Sequence, residues 1–463
     1  MMEKCNNKKI LIIVPHQDDE LSLAGSVIIG LKKRGYFVGI LFTTNGNFNG
    51  QEQIRYKESK KVAEILKIDT VTYLGYPDSG WNMEDNTIYN SNTFYKTKDG
   101  INETCGIMSE NEYCFKKNNK HNLYTRENML NDLKNFILDF KPFAIFCVDV
   151  DNHADHKITS LLTDEAMASL KDQLKPTPLF FKGFCYLGSW YGKNDYFDKI
   201  MQPTLNQICN KTTLSKPYLW EDRISIFADP HLYNPFYWKS KLYKCYKVYS
   251  SQEARLHFFR AVNSNQIFWF RNLTNIGFDS TFIASSGNVS FLNDGKLIDF
   301  KNVRRKNEYT NLLGWEPNKK DKKKIITIEL KERVDFLNCS IYFETSNNKP
   351  IDINVITKEK QFKINAKPPL SRIEIKVKEK MNRLCLQFLI NNDQTIIINE
   401  IELHKTNLQV KMCEDFLSKF EEYKDKPRNL IILNIGRLFY TLQIFIKKVF
   451  NKIKTRVISK HYA

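Results

Sequence analysis

Two rhythms of apolar and polar positions run through the first half of the chain. Lys9 to Val14, KILIIV, is an unbroken apolar run between polar residues, the pattern of a strand covered on both faces in a parallel sheet. Ala24 to Lys33 carries helical spacing that stops at Gly35. Tyr36 to Thr43 predicts a second strand, Arg55 to Leu66 a second helix and Thr70 to Leu74 a third strand. Residues 82–122 are rich in Asn, Lys, Tyr and Glu and show no period, which marks an insertion. The alternation resumes with a helix over Arg126 to Phe140 and a strand over Phe143 to Val148. This succession predicts an α/β, Rossmann-like, mostly parallel sheet, a fold that gathers ligands at the carboxyl ends of its strands.

From about Asn272 short alternating strands replace the helical spacing. They are expected over Lys324 to Leu330, Ser340 to Thr345, Ile351 to Thr357, Ile373 to Val377, Leu384 to Ile390 and Thr395 to Leu403, and together predict an all-β sandwich. Glu414 to Lys424 is expected to be helical, with a break at Pro427. The expected division is 1–265 for the α/β unit, 272–405 for the sandwich and 406–463 for a helical, basic, amphipathic tail.

Composition sharpens this in three ways. The chain of 463 residues is 42% hydrophobic, enough for real cores. Lys and Arg number 70 against 52 Asp and Glu, a formal charge of +18. Residues 428–463 supply eight of those positive charges and no acid, interleaved with apolar residues at helical spacing. That combination predicts a helix lying on an anionic membrane surface. No nucleic-acid motif accompanies the charge, so no nucleic-acid partner is expected. Ten cysteines are scattered without a CxxC, several inside apolar runs where a buried free thiol is expected; Cys105 and Cys114 are the one pair whose flanking positions leave a disulfide open. The start is too polar for a secretory signal, and no apolar run reaches the roughly 20 residues of a spanning helix. A cytoplasmic location, peripheral to the inner face of the membrane, is the expectation.

The candidate chemistry lies at two predicted strand ends. VPHQDDE (14–20) packs an imidazole and three adjacent carboxylates after the first strand, and DVDNHADH (149–156) follows Val148. Clustered carboxylates are costly unless a cation offsets them. His16, Asp19 and His156 offer three ligands to a divalent ion, and a catalytic zinc uses three protein ligands and lowers the pKa of its water to ~7. Two imidazoles favour zinc or iron(II) over magnesium or manganese. Asp18 is then placed as general base, and His153, oriented by Asp155, as the group that stabilises the oxyanion or protonates the leaving amine.

PHQDDE together with HADH resembles the PIG-L/LmbE-like deacetylase family, whose pattern is [AP]HPDDE and HPDH. Arg55, Glu58 and LGYPDSG (74–80) match its later signals, over roughly the first 260 residues. The resemblance implies a zinc-dependent hydrolase that removes acetyl from an N-acetylglucosamine unit or cleaves a related amide; with the basic tail, a glycan precursor, lipid-linked forms included, is the expected substrate. It implies the same metal ligands, base and acid dyad, with Arg55 and Asp78 contacting substrate. Gln17 and Ala154 stand where prolines are usual, and Asp151 stands where some members have tyrosine, leaving Tyr124 or Tyr186 as substitutes. YTRENML (124–130) and KVYSSQ (247–252) resemble a bacterial subgroup with an appended β domain, and place Arg126 as a contact for an anionic substrate group. ASSG, FLNDGK and LGWEP (284–287, 291–296, 313–317) resemble galactose-binding-like, discoidin-type modules. The competing reading is a non-catalytic glycan-binding or membrane-surface scaffold, against which the intact set His16, Asp18, Asp19, His153 and His156 argues.

Overall fold

The apolar runs form the interior of a seven-stranded sheet in a computed structural model of the chain. The structure describes residues 8–79, 93–97, 100–151, 153–185, 222–227, 239–254, 265–301, 312–345, 350–366, 372–391, 394–405 and 408–423, with isolated positions at 89, 218, 303, 438, 442, 445, 446 and 449. Strands β1 (Lys9–Val14), β2 (Phe37–Thr44), β3 (Thr70–Tyr76), β4 (Ala144–Val148), β5 (Leu179–Gly183), β6 (Ile224–Phe227) and β7 (Asn265–Arg271) lie in the order β3-β2-β1-β4-β5-β7-β6. The first five pair in parallel, and β7 runs antiparallel to β5 and β6.

Helices α1 (Asp19–Lys33), α2 (Glu52–Leu66), α4 (Arg126–Phe140) and α5 (Ala154–Ser169) join the parallel strands, and the short α3 (Tyr113–Asn118) falls inside the insertion. Strand order reverses at β1, whose neighbours are β2 on one side and β4 on the other. The chain ends of β1 and β4 therefore flank a topological switch point, where α/β sheets open a crevice. Both candidate motifs emerge there.

Helix α1 begins at Asp19, five residues before the expected start. The early turns were not legible because their carboxylates look like a loop, although acidic residues suit a helix N-terminus. The insertion packs against the end of β3. Gly75, at φ 82, leaves room for this: a Cβ there would lie 2.6 Å from Glu112 Cβ and 2.7 Å from the Cys105 carbonyl oxygen. Cys105 and Cys114 are both free: Cys105 accepts from the Asn45 amide and Cys114 lies 3.1 Å from the Thr104 hydroxyl.

Beyond β7 the chain forms two antiparallel sheets. One has the order β13-β10-β15 and the other β12-β11-β14-β9-β8, with β8 (Thr281–Ala284), β9 (Ile325–Val334), β10 (Leu337–Thr345), β11 (Ile351–Ile356), β12 (Gln361–Ala366), β13 (Arg372–Val377), β14 (Met381–Leu389) and β15 (Ile396–His404). Alternate residues point inward, as in β11, where Ile351, Ile353 and Val355 are buried and the residues between them are not. Facing residues such as Ile341, Ile375, Leu384 and Leu386 fill a second apolar core. β12 is not among the expected strands, because QFKINA, on a sheet edge, has little burial to encode.

After the sandwich the chain returns to the first core. The helix α7 runs over Leu408–Ser418, shifted from the expected Glu414 to Lys424; α6 is Lys241–Val248. Phe416 meets the rings of Phe146 and Phe181 at 6.4 and 5.8 Å, and Gln409 donates to the Pro178 carbonyl at 2.9 Å. The segment grouped with the tail thus starts as a core helix. No helix among the described residues is long and apolar enough to cross a membrane.

Candidate active site at the strand ends

The turn after β1 carries His16, and the turn after β4 carries His153 and His156. Parallel pairing sets Ile13 beside Cys147, so the two turns leave the sheet side by side. The His16 ring lies 5.4 Å from that of His156 and 4.7 Å from that of His153. Asp19, in the first turn of α1, joins them: its Oδ2 lies 3.0 Å from His16 Nδ1 and 3.1 Å from His156 Nε2. His16, Asp19 and His156 are each at most 5% exposed.

Asp18 caps α1 with φ 118 and ψ −23, a conformation that a residue with a Cβ holds only when its surroundings impose it, at a cost of about 1–3 kcal/mol. Its amide donates to Glu20 Oε2 at 3.0 Å, while its carboxylate takes no hydrogen bond among the described residues. Burial and the neighbouring Asp19 charge push this carboxyl well above its usual range.

Arg55 and Asp78 close one side. Arg55 Nη1 donates to Asp78 Oδ2 at 3.2 Å, and Asp78 Oδ1 lies 3.6 Å from His16 Nε2. Arg126 does not join them. It pairs with Glu165 of α5, lies 5.4 Å from the Tyr89 ring, and lines a separate cavity of about 510 Å³ with Lys171 and Lys296. Arg126 opens α4, and its partner Glu165 lies in the last turns of α5, away from the first turn that carries Asp155 and His156.

The expected pairing of Asp155 with His153 takes a different form. His153 is the N-cap of α5, and its Nδ1 accepts from the Asp155 amide at 3.2 Å. The Asp155 carboxylate lies 3.9 Å from that nitrogen and instead accepts from His16 Nε2 at 3.1 Å and the Ser79 amide at 3.0 Å. With Nδ1 an acceptor, a neutral His153 carries its proton on Nε2. Burial and the His16 charge push its pKa down to about 3.

Asp151, noted only as the residue in a tyrosine's place, orients His156. Its Oδ2 lies 2.7 Å from His156 Nδ1, and its Oδ1 accepts from the His153 amide at 3.1 Å. A carboxylate behind a ligating imidazole fixes the ring and raises its basicity. KVYSSQ also gains a role. Tyr249 donates to Glu20 at 2.7 Å, Ser250 and Ser251 hold Glu58, and Gln252 donates to the Gln17 carbonyl. The contacts to Glu20 and Gln17 clamp the VPHQDDE turn from a segment more than 200 positions away. Tyr124 is buried against Tyr76 and Tyr95, with ring distances of 5.0 and 5.4 Å; Tyr186 lies outside the described residues.

The electrostatics test whether an ion fits. Asp19, Asp78, Asp151 and Asp155 each lie within 3.6 Å of His16 or His156, and Arg55 pairs with Asp78. Protons are therefore drawn in. Burial opposes the His16 imidazolium, yet the Asp78 charge and bonds to Asp155 and Asp19 hold its pKa well above the ordinary value. Burial likewise opposes His156, and the Asp151 and Asp19 charges push it up to about 9. Burial would raise Asp19, but His156 and His16 hold it far below the carboxylate range. A divalent ion would replace those protons. Two imidazole nitrogens and a carboxylate oxygen are a donor set that zinc or iron(II) accepts. Three overlapping groups have donor atoms within 4.8 Å of one another: His16, His153 and His156; Asp19, His156 and Cys185; and His16, Asp78 and Asp155.

An α/β sheet with a buried imidazole–carboxylate cluster at its switch point defines the class. Residues 11–167 match the PIG-L family, described as GlcNAc-PI de-N-acetylase, and the chain carries a PIG-L family domain there. Similar solved structures include N,N'-diacetylchitobiose deacetylase from Pyrococcus horikoshii, 20% identical with TM-score 0.26, which covers 38% of this chain; the present chain spans 60% of its length. A deacetylase of teicoplanin biosynthesis is 12% identical with TM-score 0.34, covering 57% of this chain and 98% of its own. The 4-carboxy-2-hydroxymuconate hydratase GalB from Pseudomonas putida is 13% identical with TM-score 0.31, covering 57% and 95%. At such overlap these likenesses carry no inference about substrate.

Proposed function

We propose that this chain is a metal-dependent amide hydrolase that removes the N-acetyl group from an N-acetylglucosamine-type sugar in a glycan or glycolipid precursor. The observation that carries the reading is the convergence of His16, Asp19 and His156 from two strand ends on one buried point. The PIG-L match over residues 11–167 supports the same class.

A zinc or iron(II) ion held by His16, Asp19 and His156 would supply Lewis acidity and an acidified water. Asp18, whose carboxylate has no competing protein hydrogen bond among the described residues, receives the proton of the attacking water. The neutral His153, with its proton on Nε2, donates a hydrogen bond toward the developing oxyanion, and the proton that Asp18 took from the water passes to the departing amine. Arg55, fixed by Asp78, presents cationic charge to sugar hydroxyls. Asp151 holds His156 and the KVYSSQ clamp holds the first turn, so the geometry is set before substrate arrives.

The domain division 1–265, 272–405 and 406–463 and a cytoplasmic setting at the inner membrane face complete the proposal. In the tail, Leu438, Leu442, Phe445, Ile446 and Val449 are helical and exposed. Their spacing puts them on one helical face, and the eight cations of 428–463 suit anionic lipid. The sandwich is proposed to bind glycan.

The deciding experiment couples metal analysis to acetate release from nucleotide-, lipid- and inositol-linked N-acetyl-sugars. The expected result is about one metal per chain and acetate release, with Asp18→Asn keeping metal and losing about 10²–10⁴-fold in kcat. An Asp18→Asn enzyme with full turnover removes the base assignment, and metal-loaded protein that only binds glycans favours the scaffold. Flotation with anionic vesicles, with and without 428–463, decides the anchor: equal flotation rejects it.

A further inference from the structure

Cys185 stands two residues past β5, and nothing in the mechanism above uses it. Its contacts converge on the residues assigned to the ion. The Sγ donates to the Asp19 main-chain carbonyl at 3.6 Å. The amide donates at 3.3 Å to Asp151 Oδ2, the oxygen that also engages His156 Nδ1. Donor atoms of Asp19, His156 and Cys185 all lie within 4.8 Å of one another. Cys185 is thus tied through its thiol to Asp19 and through its main-chain amide to Asp151, one a ligand and the other the carboxylate behind a ligand. Cys339 shows the contrasting case of a thiol packed as a small hydrophobe: it is fully buried in the apolar core of the sandwich.

We propose that Cys185 is a sulfur ligand of the same divalent ion, beside Asp19 and His156; this rests on the metal-site reading. On loading, the S–H bond breaks, the sulfur gives its electron pair to the ion, and the proton leaves to solvent. A thiolate in the donor set makes the site select zinc, cobalt(II) or cadmium over magnesium, manganese or calcium, which prefer oxygen. It also makes the bound state sensitive to thiol oxidants.

The test uses the full chain, stripped of metal and reloaded with cobalt(II). Visible d–d bands report bound cobalt, and a near-ultraviolet sulfur-to-cobalt charge-transfer band reports a thiolate ligand. Both are expected in the wild type, while Cys185→Ser keeps the visible bands and loses the charge-transfer band. Visible bands without charge transfer in the wild type, or a charge-transfer band that survives in Cys185→Ser, overturn the sulfur ligand and leave the metal-site reading standing. Absence of all bands in the wild type overturns both. X-ray absorption of zinc-loaded wild type provides a reading that needs no variant. A sulfur shell at about 2.3 Å supports the proposal, and a shell of nitrogen and oxygen alone at about 2.0–2.2 Å rejects it.

Discussion

The strand-end cluster and the ion-pair chain behind β7 are both buried and both charged, but their charges are satisfied differently. Behind β7, cation and carboxylate alternate. Lys182 meets Asp164 at 3.0 Å, Arg271 lies 3.6 Å from Asp164 and 3.3 Å from Glu402, and Tyr342 donates to Glu402 at 2.9 Å. That chain ties the parallel sheet to the sandwich using the protein's own side chains. At the strand ends Asp19, Asp78, Asp151 and Asp155 gather around His16 and His156, Arg55 pairs with Asp78, and the imidazoles are held protonated to compensate. A network whose cations and carboxylates meet one another needs no outside ion; one that must draw in protons or a cation is arranged for chemistry.

The comparison breaks most readily at Arg271. Arg271→Leu leaves Glu402 buried without its guanidinium, and removing one partner of a buried pair costs about 3–5 kcal/mol. Urea unfolding should show that loss, while metal content of the folded protein stays unchanged; a parallel fall in metal affinity would mean that the two networks are not separate. The converse variant is Asp151→Asn. It should lower metal affinity about 10–100-fold, read by chelator competition, with little change in the urea midpoint of the metal-free protein. If affinity is unchanged, Asp151 does not orient a ligand.

The smallest expected effect sharpens the comparison through pH. Burial raises the Glu402 carboxyl, but its bond from His404 and the Arg271 charge hold it at about 2. This lies below the unfolded value of about 4.3. Its contribution is therefore present above about pH 4.3 and is lost as pH falls toward about 2. Urea midpoints measured across that window should fall less steeply in Glu402→Gln than in the wild type. Identical slopes would show that Glu402 is not held low by its partners.

The sequence alone determined much of this. Continuous apolar runs specify strands covered on both faces, so β1, β2 and β4 were legible; period-two alternation did the same for β11 and β13. HQDDE and HADH named their own chemistry, because adjacent carboxylates and imidazoles after buried strands have few other uses. Tertiary structure alone decided the partners. It gave Asp151 to His156, took the Asp155 carboxylate from His153 to His16, set Arg126 against Glu165, and brought Tyr249, Gln252 and Cys185 to a turn far away in the chain. Periodicity records which face a residue buries, since burial acts on each position separately. A hydrogen bond or ion pair depends on two positions at once, and their meeting is fixed only when the sheet order and the helix directions are set.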